Sequence, residues 1–287
     1  MPVNILYCEG DYKSIDVQIL SLIVPKDCLV KPIGSKHGFH QRILGARNAQ
    51  QNASIAGLKD RDFDEDDSIP TNNPHLWYAT DNNQKVQIGW YWNRKEIENY
   101  LIDPEIVKRA LGSKAPPLEK YQAALQASAK MIANYTAARY VLSCVSYPNP
   151  PFNAWGEERE PGHFFPKDKG LKEQDCRSKI SSIFKDYEKK IVVSKEDVLS
   201  QFEQLRQDCQ PGGCRFQHYF TFFAGKDLLY GMRPELRKFG FKSPGVFRKH
   251  VLNGIQKSGE DVWEWLPEWQ RLREVILNFT LDNKTKG

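Results

Sequence analysis

Acidic side chains follow an apolar run in the first third of the chain, at alternate positions. Residues 53–58 are small and apolar, which favours a strand buried on both faces, and Asp60 and Asp62 come directly after them. Ligands of open parallel sheets bind at the carboxyl ends of strands. Carboxylates packed this closely repel one another unless a cation lies between them, so the spacing favours a divalent-metal site. A solvated acidic loop is the alternative, because further acids follow at Asp64, Glu65, Asp66 and Asp67.

A second acid is expected at the same place in the fold. Residues 3–8 read as the opening strand, Glu9 and Gly10 close it, and a helical apolar pattern begins at Ile15. Glycine at a strand-to-helix turn permits close approaches that a side chain would block. If both strands are parallel, Glu9 lies at the same edge of the sheet as Asp60 and Asp62. Alternatively, Glu9 is a carboxylate that merely favours a helix start.

The elements that must position these acids alternate between strand and helix. We expect strands at residues 28–33 and 86–92, a helix at about 38–49, and a loop over 65–83. Alternating strands and helices predict right-handed crossovers and a mainly parallel sheet. The predicted fold class is α/β, with this unit over residues 1–105.

Two further acids lie at the start of the next helix. Asn93 is the expected N-cap and Glu96 follows three residues later, which is the spacing of a capping box and gives Glu96 a structural alternative. Glu98 lies on another face of the same turn. Asp103 and Pro104 then begin a new helix as its cap and first residue.

The region 106–287 has a mostly helical pattern. We expect a long helix over 120–145, a proline-rich and glycine-rich loop over 147–170, and a helix that begins after Ser194. Residues 220–223 lead into Gly225 and Lys226, and a last helix covers about 261–279.

Four of these segments together resemble the Toprim domain, the metal-binding fold of topoisomerases, bacterial primases and OLD-family nucleases. They are Glu9-Gly10, Asp60-Arg61-Asp62, the segment from Arg94 to Glu105 (RKEIENYLIDPE) and Phe223-Ala-Gly225-Lys226-Asp227. The third is similar to a segment of a Toprim-like family related to OLD nucleases, and the fourth to its late Gly-Lys element. The resemblance implies a Rossmann-like Toprim domain with Gly225-Lys226 returning to the catalytic edge.

The resemblance also implies roles for the candidate site residues. Glu9, Asp60 and Asp62 would bind metal, Glu96 or Glu98 would complete a second position, and Lys226 would approach the scissile phosphate. Arg61 would brace the acids or touch phosphate. The cofactor would be Mg²⁺ or Mn²⁺, as two ions. The family often has another acid a few residues after the first Glu, where this chain has Lys13 and Ser14; whether Asp11 or Asp16 replaces it stays open.

Among Toprim proteins, a nuclease that hydrolyses DNA or RNA is the class that this chain length favours. Topoisomerases and primases need additional domains. OLD-type nucleases usually carry an ABC-type ATPase, but no Gly-x4-Gly-Lys-Ser/Thr motif occurs here. We therefore expect an ATPase partner in trans or an effector that works alone. The first arrangement resembles the PARIS anti-phage defence system. The alternative is a non-catalytic Toprim module that binds nucleic acid or a protein partner, and a homodimer stays open.

Composition and charge agree with a polyanionic substrate. The 287 residues have a formal net charge of +5, divided into −2 for residues 1–112 and +7 for the remainder. A basic half beside an acidic edge suits nucleic acid, because Lys and Arg side chains bind the phosphate backbone while metal ions neutralise the charge of the reacting phosphate. The sequence has no apolar run long enough to span a membrane and no signal peptide is expected, so we predict a cytoplasmic protein without a membrane partner.

The chain contains six cysteines, which we expect to be reduced. Cys209, Cys214 and His218 could form part of a zinc site with Cys176 as a fourth ligand. Their spacing is not that of a common zinc module, so buried or loop cysteines are the favoured interpretation.

Overall fold

A computed structural model describes residues 2–34, 38–50, 54–63, 70–144, 156–160, 163–166, 168–187 and 194–279. The strands are β1 (Ile5–Cys8), β2 (Leu29–Pro32), β3 (Ile55–Lys59), β4 (His75–Asp81), β5 (Gln84–Tyr91), β6 (Gly156–Glu160) and β7 (His163–Pro166). The helices of the first half are α1 (Ile15–Ile23), α2 (Phe39–Ala49), α3 (Ile97–Leu101), α4 (Pro104–Leu111) and α5 (Leu118–Cys144). Those of the second half are α6 (Glu173–Tyr187), α7 (Lys195–Cys209), α8 (Cys214–Gln217), α9 (Tyr219–Phe222), α10 (Gly225–Gly231), α11 (Arg233–Lys238), α12 (Pro244–Lys257) and α13 (Pro267–Asn278). Short 3₁₀ helices cover Gly112–Lys114, Asp168–Leu171 and Val262–Glu264.

The main sheet has five strands in the order β2-β1-β3-β5-β4. The first four are parallel to one another, and β4 pairs with β5 in the antiparallel direction at the edge. The expected α/β class, with a mainly parallel sheet followed by a mostly helical half, is confirmed. Because β1, β3 and β5 run the same way, the residues after Cys8, Lys59 and Tyr91 leave the sheet at one common edge.

Apolar side chains cover both faces of the sheet. On one face, Leu6 and Leu58 pack with Ile19 of α1 in a large core that also includes residues of the C-terminal helices, such as Phe247 and Trp269. On the other face, Ile55 and Ile88 pack against Phe39 and Ile43 of α2. The backbone N–H of Val3 donates to the carbonyl of Ile276, 3.0 Å away, which joins the first residues to the last helix.

Two glycines allow close packing in the centre of the sheet: Gly89 lets β5 approach β3, and Gly57 leaves space for Ile43 of α2. Gly57 and Gly89 are partners across this parallel pair. A Cβ added at Gly89 would lie 1.9 Å from the Gly57 carbonyl oxygen, and one added at Gly57 would lie 2.4 Å from Cδ1 of Ile43. The first clash is with backbone and cannot be relieved by a rotamer change, so position 89 excludes every side chain.

The loop expected over residues 65–83 was wrong in its second half, because His75–Asp81 forms strand β4. Its side chains alternate between half-buried and exposed, as in an edge strand. Asn82 and Asn83 both have positive φ, 46° and 63°, and form the two-residue turn into β5. Asparagine tolerates positive φ, so the Asn82-Asn83 pair forms a hairpin turn and is not part of a long loop. Residues 64–69, with the acids from Asp64 to Asp67, lie outside the described residues.

Three other expectations need correction. The loop expected over 147–170 contains the β6–β7 hairpin, a pairing between backbones that composition does not reveal. The last helix starts later than expected, because Pro267 at the first helical position begins α13 after a separate 3₁₀ turn. The N-cap of α3 is Glu96 rather than Asn93. Asn93 is engaged elsewhere: its Oδ1 accepts from the Thr71 N–H at 3.1 Å and lies 3.4 Å from His75 Nε2.

In the part of the chain that the structure describes, no helix combines the length and the apolar character needed to cross a membrane.

The glycine pair in the sheet generates a stability prediction. Gly89→Ala should lower the free energy of unfolding by roughly 3 to 5 kcal/mol, because the new Cβ has no space beside the Gly57 carbonyl. Gly45→Ala is the matched control: Gly45 lies in α2 with no atom within 4 Å of the added Cβ, so it should gain up to about 1 kcal/mol from helix propensity. Urea unfolding followed by circular dichroism measures both. Equal effects would show that β3 and β5 are not packed this closely.

Candidate functional site

The first acid of the site is placed by a tight turn after β1. Gly10 has φ of 91°, and a Cβ there would lie 2.6 Å from Cβ of Ser14, so no other residue fits. Gly10 also exchanges backbone hydrogen bonds with Gly34 at 2.9 and 3.1 Å, which anchors the turn beside the end of β2. Ser14 caps α1 by accepting from the Val17 N–H. This turn leaves Glu9 at the carboxyl edge of the sheet.

Asp11 and Asp16, the two candidates for an additional acid after Glu9, have different surroundings in the structure. Asp11 lies in the exposed turn, where its Oδ1 accepts from the Lys13 N–H at 2.7 Å. Asp16 lies in the first turn of α1, where its carboxylate interacts electrostatically with Glu9, Asp60 and Glu98. Burial raises the pKa of Asp16 to about 7, and the nearby Glu98 and Glu9 carboxylates add to this effect. Asp16, and not Asp11, therefore lies beside the other acids.

The loop after β3 is held by two buried cations. Arg61 is 1% exposed, and its Nη1 donates to the Asn93 carbonyl at 2.8 Å while its guanidinium lies over the Phe222 ring. Lys95 is also buried, and its Nζ donates to the Asp62 carbonyl at 2.9 Å. The Arg61 backbone N–H donates to the Lys95 carbonyl. Arg61 thus joins the loops after β3 and β5 from inside the protein.

Asp60 is the acid with the most unusual surroundings. Its Oδ1 atom is buried and has no hydrogen-bond partner among the described residues. Burial raises the pKa of Asp60 well above its usual range, and the neighbouring carboxylates of Asp16, Glu9 and Glu96 raise it further. A buried carboxylate oxygen without a donor costs free energy unless a cation or a proton satisfies it.

A single amide side chain connects α3 to the segment that carries Lys226. Asn99 is fully buried, and its Nδ2 donates to the carbonyls of Phe220 and Phe223 at 3.0 and 2.8 Å. Its Oδ1 accepts from the backbone N–H groups of Gly225 and Glu96 at 2.9 and 3.1 Å. Both donor hydrogens and both acceptor positions are therefore used. The Asn99 amide fixes the start of α10 against the start of α3.

Gly225 makes this contact possible. A Cβ at Gly225 would lie 2.4 Å from the backbone nitrogen of Asn99 and 2.6 Å from the carbonyl carbon of Glu98. The two helix starts are therefore in backbone contact, and only glycine leaves enough space. The following residue, Lys226, is held beside Glu96: its backbone N–H donates to Glu96 Oε1 at 2.6 Å.

The Lys226 ammonium lies among the carboxylates. Its Nζ is 3.2 Å from Glu96 Oε2 and 3.6 Å from Glu98 Oε2. Burial alone would lower the pKa of Lys226, but Glu96, Glu98, Asp60 and Asp16 together raise it well above its ordinary value. Lys226 therefore stays protonated and offsets the repulsion between these acids.

Glu98 has a second cationic partner, which the sequence did not indicate. Arg248 of α12 donates from Nη1 to Glu98 Oε1 at 3.1 Å. Burial raises the pKa of Glu98, while Lys226 and Arg248 oppose this rise. Because Glu98 is engaged by two cations, it is less suited than Asp60 to bind a metal ion.

The remaining predicted ligand, Asp62, is placed differently from Asp60. The leading carboxylate neighbours of Asp60 are Asp16, Glu9 and Glu96, and Asp62 is not among them. The backbone carbonyl of Asp62 accepts from Lys95, as described above. The structure thus brings together Glu9, Asp16, Asp60, Glu96, Glu98 and Lys226, with Asp62 on the adjoining loop.

The donor set suits a hard divalent cation. Carboxylate oxygens are the ligands that Mg²⁺ and Mn²⁺ prefer, and the buried Oδ1 of Asp60 is an oxygen that such a cation would satisfy. With Lys226 among the acids, however, the described part of the chain has no group of three or more His, Cys, Asp or Glu residues in an arrangement that could hold a metal ion. A metal ion that used Glu96 or Glu98 would compete with the Lys226 ammonium group for their carboxylate oxygens.

The cysteines of the alternative zinc site do not form one cluster. Cys176 and Cys209 are buried, whereas Cys214 and His218 are exposed. The Cys176 thiol lies 3.5 Å from the Gly170 carbonyl oxygen. Burial raises the pKa of Cys176 and Cys209, which favours the neutral thiol over a metal-binding thiolate.

No protein-family model matches the chain, and no curated protein matches it.

The Asn99 contacts generate a second prediction. Asn99→Ala leaves one buried and one partly buried N–H group, and one buried and one partly buried carbonyl, without their partner, so the free energy of unfolding should fall by about 3 kcal/mol. Asn253→Ala, at an exposed position of α12, is the control and should have little effect. Chemical denaturation measures both variants. If Asn99→Ala is as stable as the control, the amide does not join the two helix starts.

Proposed function

We propose that this chain is a divalent-metal-dependent nuclease of the Toprim type, related to OLD-family nucleases, that hydrolyses phosphodiester bonds in DNA or RNA. One observation carries the proposal. Acids that follow β1 and β3 in the sequence, Glu9 and Asp60, lie with Asp16 at one edge of a parallel sheet, and Lys226 from the distant helical half reaches the same place. Carboxylates that can bind divalent ions, beside a protonated lysine, can stabilise the negative charge that develops during phosphodiester hydrolysis.

Glu9, Asp16 and Asp60 are the residues best placed to hold Mg²⁺ or Mn²⁺, with Glu96 as a further ligand. Asp62 and Glu98 are also kept as candidate metal ligands. Asp62 lies on the loop after β3, and Glu98 forms an ion pair with Lys226. When bound, a pair of such ions neutralises the charge of the reacting phosphate and lowers the pKa of water.

Lys226 has a separate role in this proposal. Because the surrounding carboxylates keep its ammonium protonated, it can donate hydrogen bonds to a phosphate oxygen. Its side chain is 35% exposed, so a substrate can reach it, whereas Arg61 is buried and supports the loop instead. The Asn99 amide and Gly225 keep Lys226 at a fixed position relative to the acids.

The biological role in the proposal is that of an anti-phage defence effector working with an ATPase in trans. It follows from the resemblance in the sequence and from the basic second half of the chain, which suits a nucleic-acid backbone.

A specific observation favours a second candidate function, a non-catalytic Toprim module that binds nucleic acid or a protein partner. Lys226 pairs with Glu96 and Glu98, and Arg248 also pairs with Glu98. These ion pairs neutralise carboxylates without any metal, which is the arrangement that a purely structural site would adopt. The two functions differ in whether metal-dependent cleavage occurs.

The first functional prediction concerns cleavage. Purified protein incubated with plasmid DNA and with tRNA should cleave one of them in Mg²⁺ or Mn²⁺ and neither in EDTA. Glu9→Ala and Asp60→Ala should each reduce the rate by at least about 100-fold, because charge stabilisation at the phosphate is lost. Asp11→Ala is the matched control, since this exposed acid in the same turn region lies outside the cluster. Binding without cleavage, with any neighbouring ATPase added, would support the module instead.

A binding measurement accompanies the assay and does not need a substrate. Mg²⁺ at about 100 times its dissociation constant should raise the free energy of unfolding by about 2.7 kcal/mol. Asp60→Asn should abolish this increase and Asp11→Asn should retain it. An increase that survives Asp60→Asn would remove Asp60 from the site.

The second functional prediction separates Lys226 from the metal ligands. Lys226→Met removes the ammonium that competes for the carboxylates, so Mg²⁺ should bind more tightly, while cleavage should fall by about 100-fold or more. Lys238→Met is the control, because Lys238 is exposed and pairs with Glu235. Calorimetric titration measures the Mg²⁺ affinity, and the cleavage assay measures the rate. Weaker Mg²⁺ binding in Lys226→Met would contradict this assignment.

A further inference from the structure

A cavity of about 240 Å³ lies at the carboxyl edge of the sheet, beside the end of β5. Asn93, which follows β5, contributes to its wall. The segment 217–221, which precedes Lys226 in the sequence, contributes the aromatic residues Tyr219 and Phe220 and the hydroxyl group of Thr221. Glu268 of α13 lines the cavity as well. The cavity thus combines aromatic rings with polar groups from three distant parts of the chain.

Three of the lining side chains are more than nine-tenths buried: Asn93 and Thr221 are 5% exposed, and Glu268 is 8% exposed. Each has a polar atom without a hydrogen bond to any described residue. Asn93 accepts the Thr71 N–H with Oδ1, which leaves Nδ2. Glu268 accepts from Nε and Nη2 of Arg94 with Oε1, at 2.9 and 2.6 Å, which leaves Oε2. The Thr221 hydroxyl is the third atom. A few such polar groups in a largely buried lining are typical of a ligand site.

The three atoms form a mixed set of donors and acceptors. The Asn93 amide nitrogen donates, the Glu268 carboxylate oxygen accepts, and the Thr221 hydroxyl does either. The edge of a nucleobase carries N–H donors next to oxygen or nitrogen acceptors, and its face stacks on aromatic side chains. The Tyr219 and Phe220 rings are half-buried, with centroids 4.6 Å apart. A base therefore fits both parts of the lining, whereas a phosphate group would be repelled by the Glu268 carboxylate.

The cavity adjoins the acid cluster. Arg61, in the loop after β3, donates to the Asn93 carbonyl at 2.8 Å. The Asn99 amide, which fixes the start of α10, donates to the Phe220 carbonyl at 3.0 Å. In addition, β3 and β5 are neighbours in the sheet, and neighbouring strands lie about 4.8 Å apart. A nucleic-acid strand with one phosphate at the acid cluster and Lys226 therefore has a nearby base within reach of the cavity.

We propose that this cavity, the base pocket, binds one unpaired nucleobase of the nucleic-acid strand that the acid cluster cleaves. Asn93, Thr221 and Glu268 hydrogen-bond to the edge of the base, and Tyr219 stacks on its face. This inference rests on the proposed function for the identity of the strand, and it narrows the substrate to a single strand or an unpaired segment. A base inside a duplex has its Watson–Crick edge occupied and must leave the stack before a protein pocket holds it.

An oligonucleotide that lacks bases separates the base pocket from charge attraction. Fluorescence anisotropy in EDTA compares a labelled single-stranded octamer of mixed sequence with an abasic octamer of the same length and charge. The octamer with bases should bind at least about tenfold more tightly, because stacking and hydrogen bonds to the base are absent from the abasic chain. Equal affinity, or no binding of either octamer, would overturn the proposal.

Substitutions in the cavity test its location. Thr221→Val removes the hydroxyl and should weaken binding of the octamer with bases by about five- to tenfold, without changing that of the abasic octamer. Thr221→Ser keeps a hydroxyl and should retain tight binding. Thr80→Val, at an exposed position of β4, is the matched control. Tyr219→Leu is a second, independent variant and should weaken binding by about tenfold through lost stacking. Circular dichroism checks that each variant is folded. If Thr221→Val and Tyr219→Leu both bind like Thr80→Val, the base lies elsewhere.

Competition distinguishes a base in a strand from a free nucleotide. A mixture of the four nucleoside monophosphates should displace the labelled octamer at least about tenfold less well than unlabelled octamer does, and so should a duplex of the same sequence. Equal displacement by the monophosphates would assign the cavity to a free nucleotide and overturn the proposal. Base-dependent binding without cleavage in Mg²⁺ would support the base pocket and contradict the nuclease, whereas cleavage with equal binding of both octamers would do the reverse.

Discussion

Repulsion between buried carboxylates is the constraint on which the site depends. Glu9, Asp16, Asp60, Glu96 and Glu98 come from three segments of the chain, and burial with mutual repulsion raises the pKa of three of them, Asp16, Asp60 and Glu98. Lys226 and Arg248 offset part of this cost through ion pairs. Like charges are held together in this way only when the surrounding structure determines their positions. The buried Oδ1 of Asp60 has no hydrogen-bond partner among the described residues, and a cation could satisfy it.

The frame is built from close backbone contacts and buried hydrogen bonds. Gly89 lets β5 contact β3, and Gly225 lets α10 contact α3, each at a distance that excludes a side chain. Asn99 then uses its whole hydrogen-bonding capacity to lock the second contact. Arg61 and Lys95 tie the loops after β3 and β5 to each other from within the core. Displacement of any of these groups would move the lysine relative to the acids, so residues that touch no substrate decide the geometry of the site.

The amino-acid sequence by itself determined the local elements and the edge at which the acids gather. Apolar runs and helical periodicity placed β1, β3, β5 and α1, and parallel strands end on one side, so Glu9 and Asp60 were expected to meet. Tertiary structure alone decided the rest. It placed Asp16, and not Asp11, beside the other acids, and it supplied Asn99, Lys95 and Arg248. It also contains strand β4 where the sequence predicted a loop, because β4 forms by pairing with β5 across the turn at Asn82 and Asn83. The physical reason is the range of the interactions: periodicity and capping depend on neighbours along the chain, whereas Lys226 meets Glu96 through packing between segments far apart in sequence.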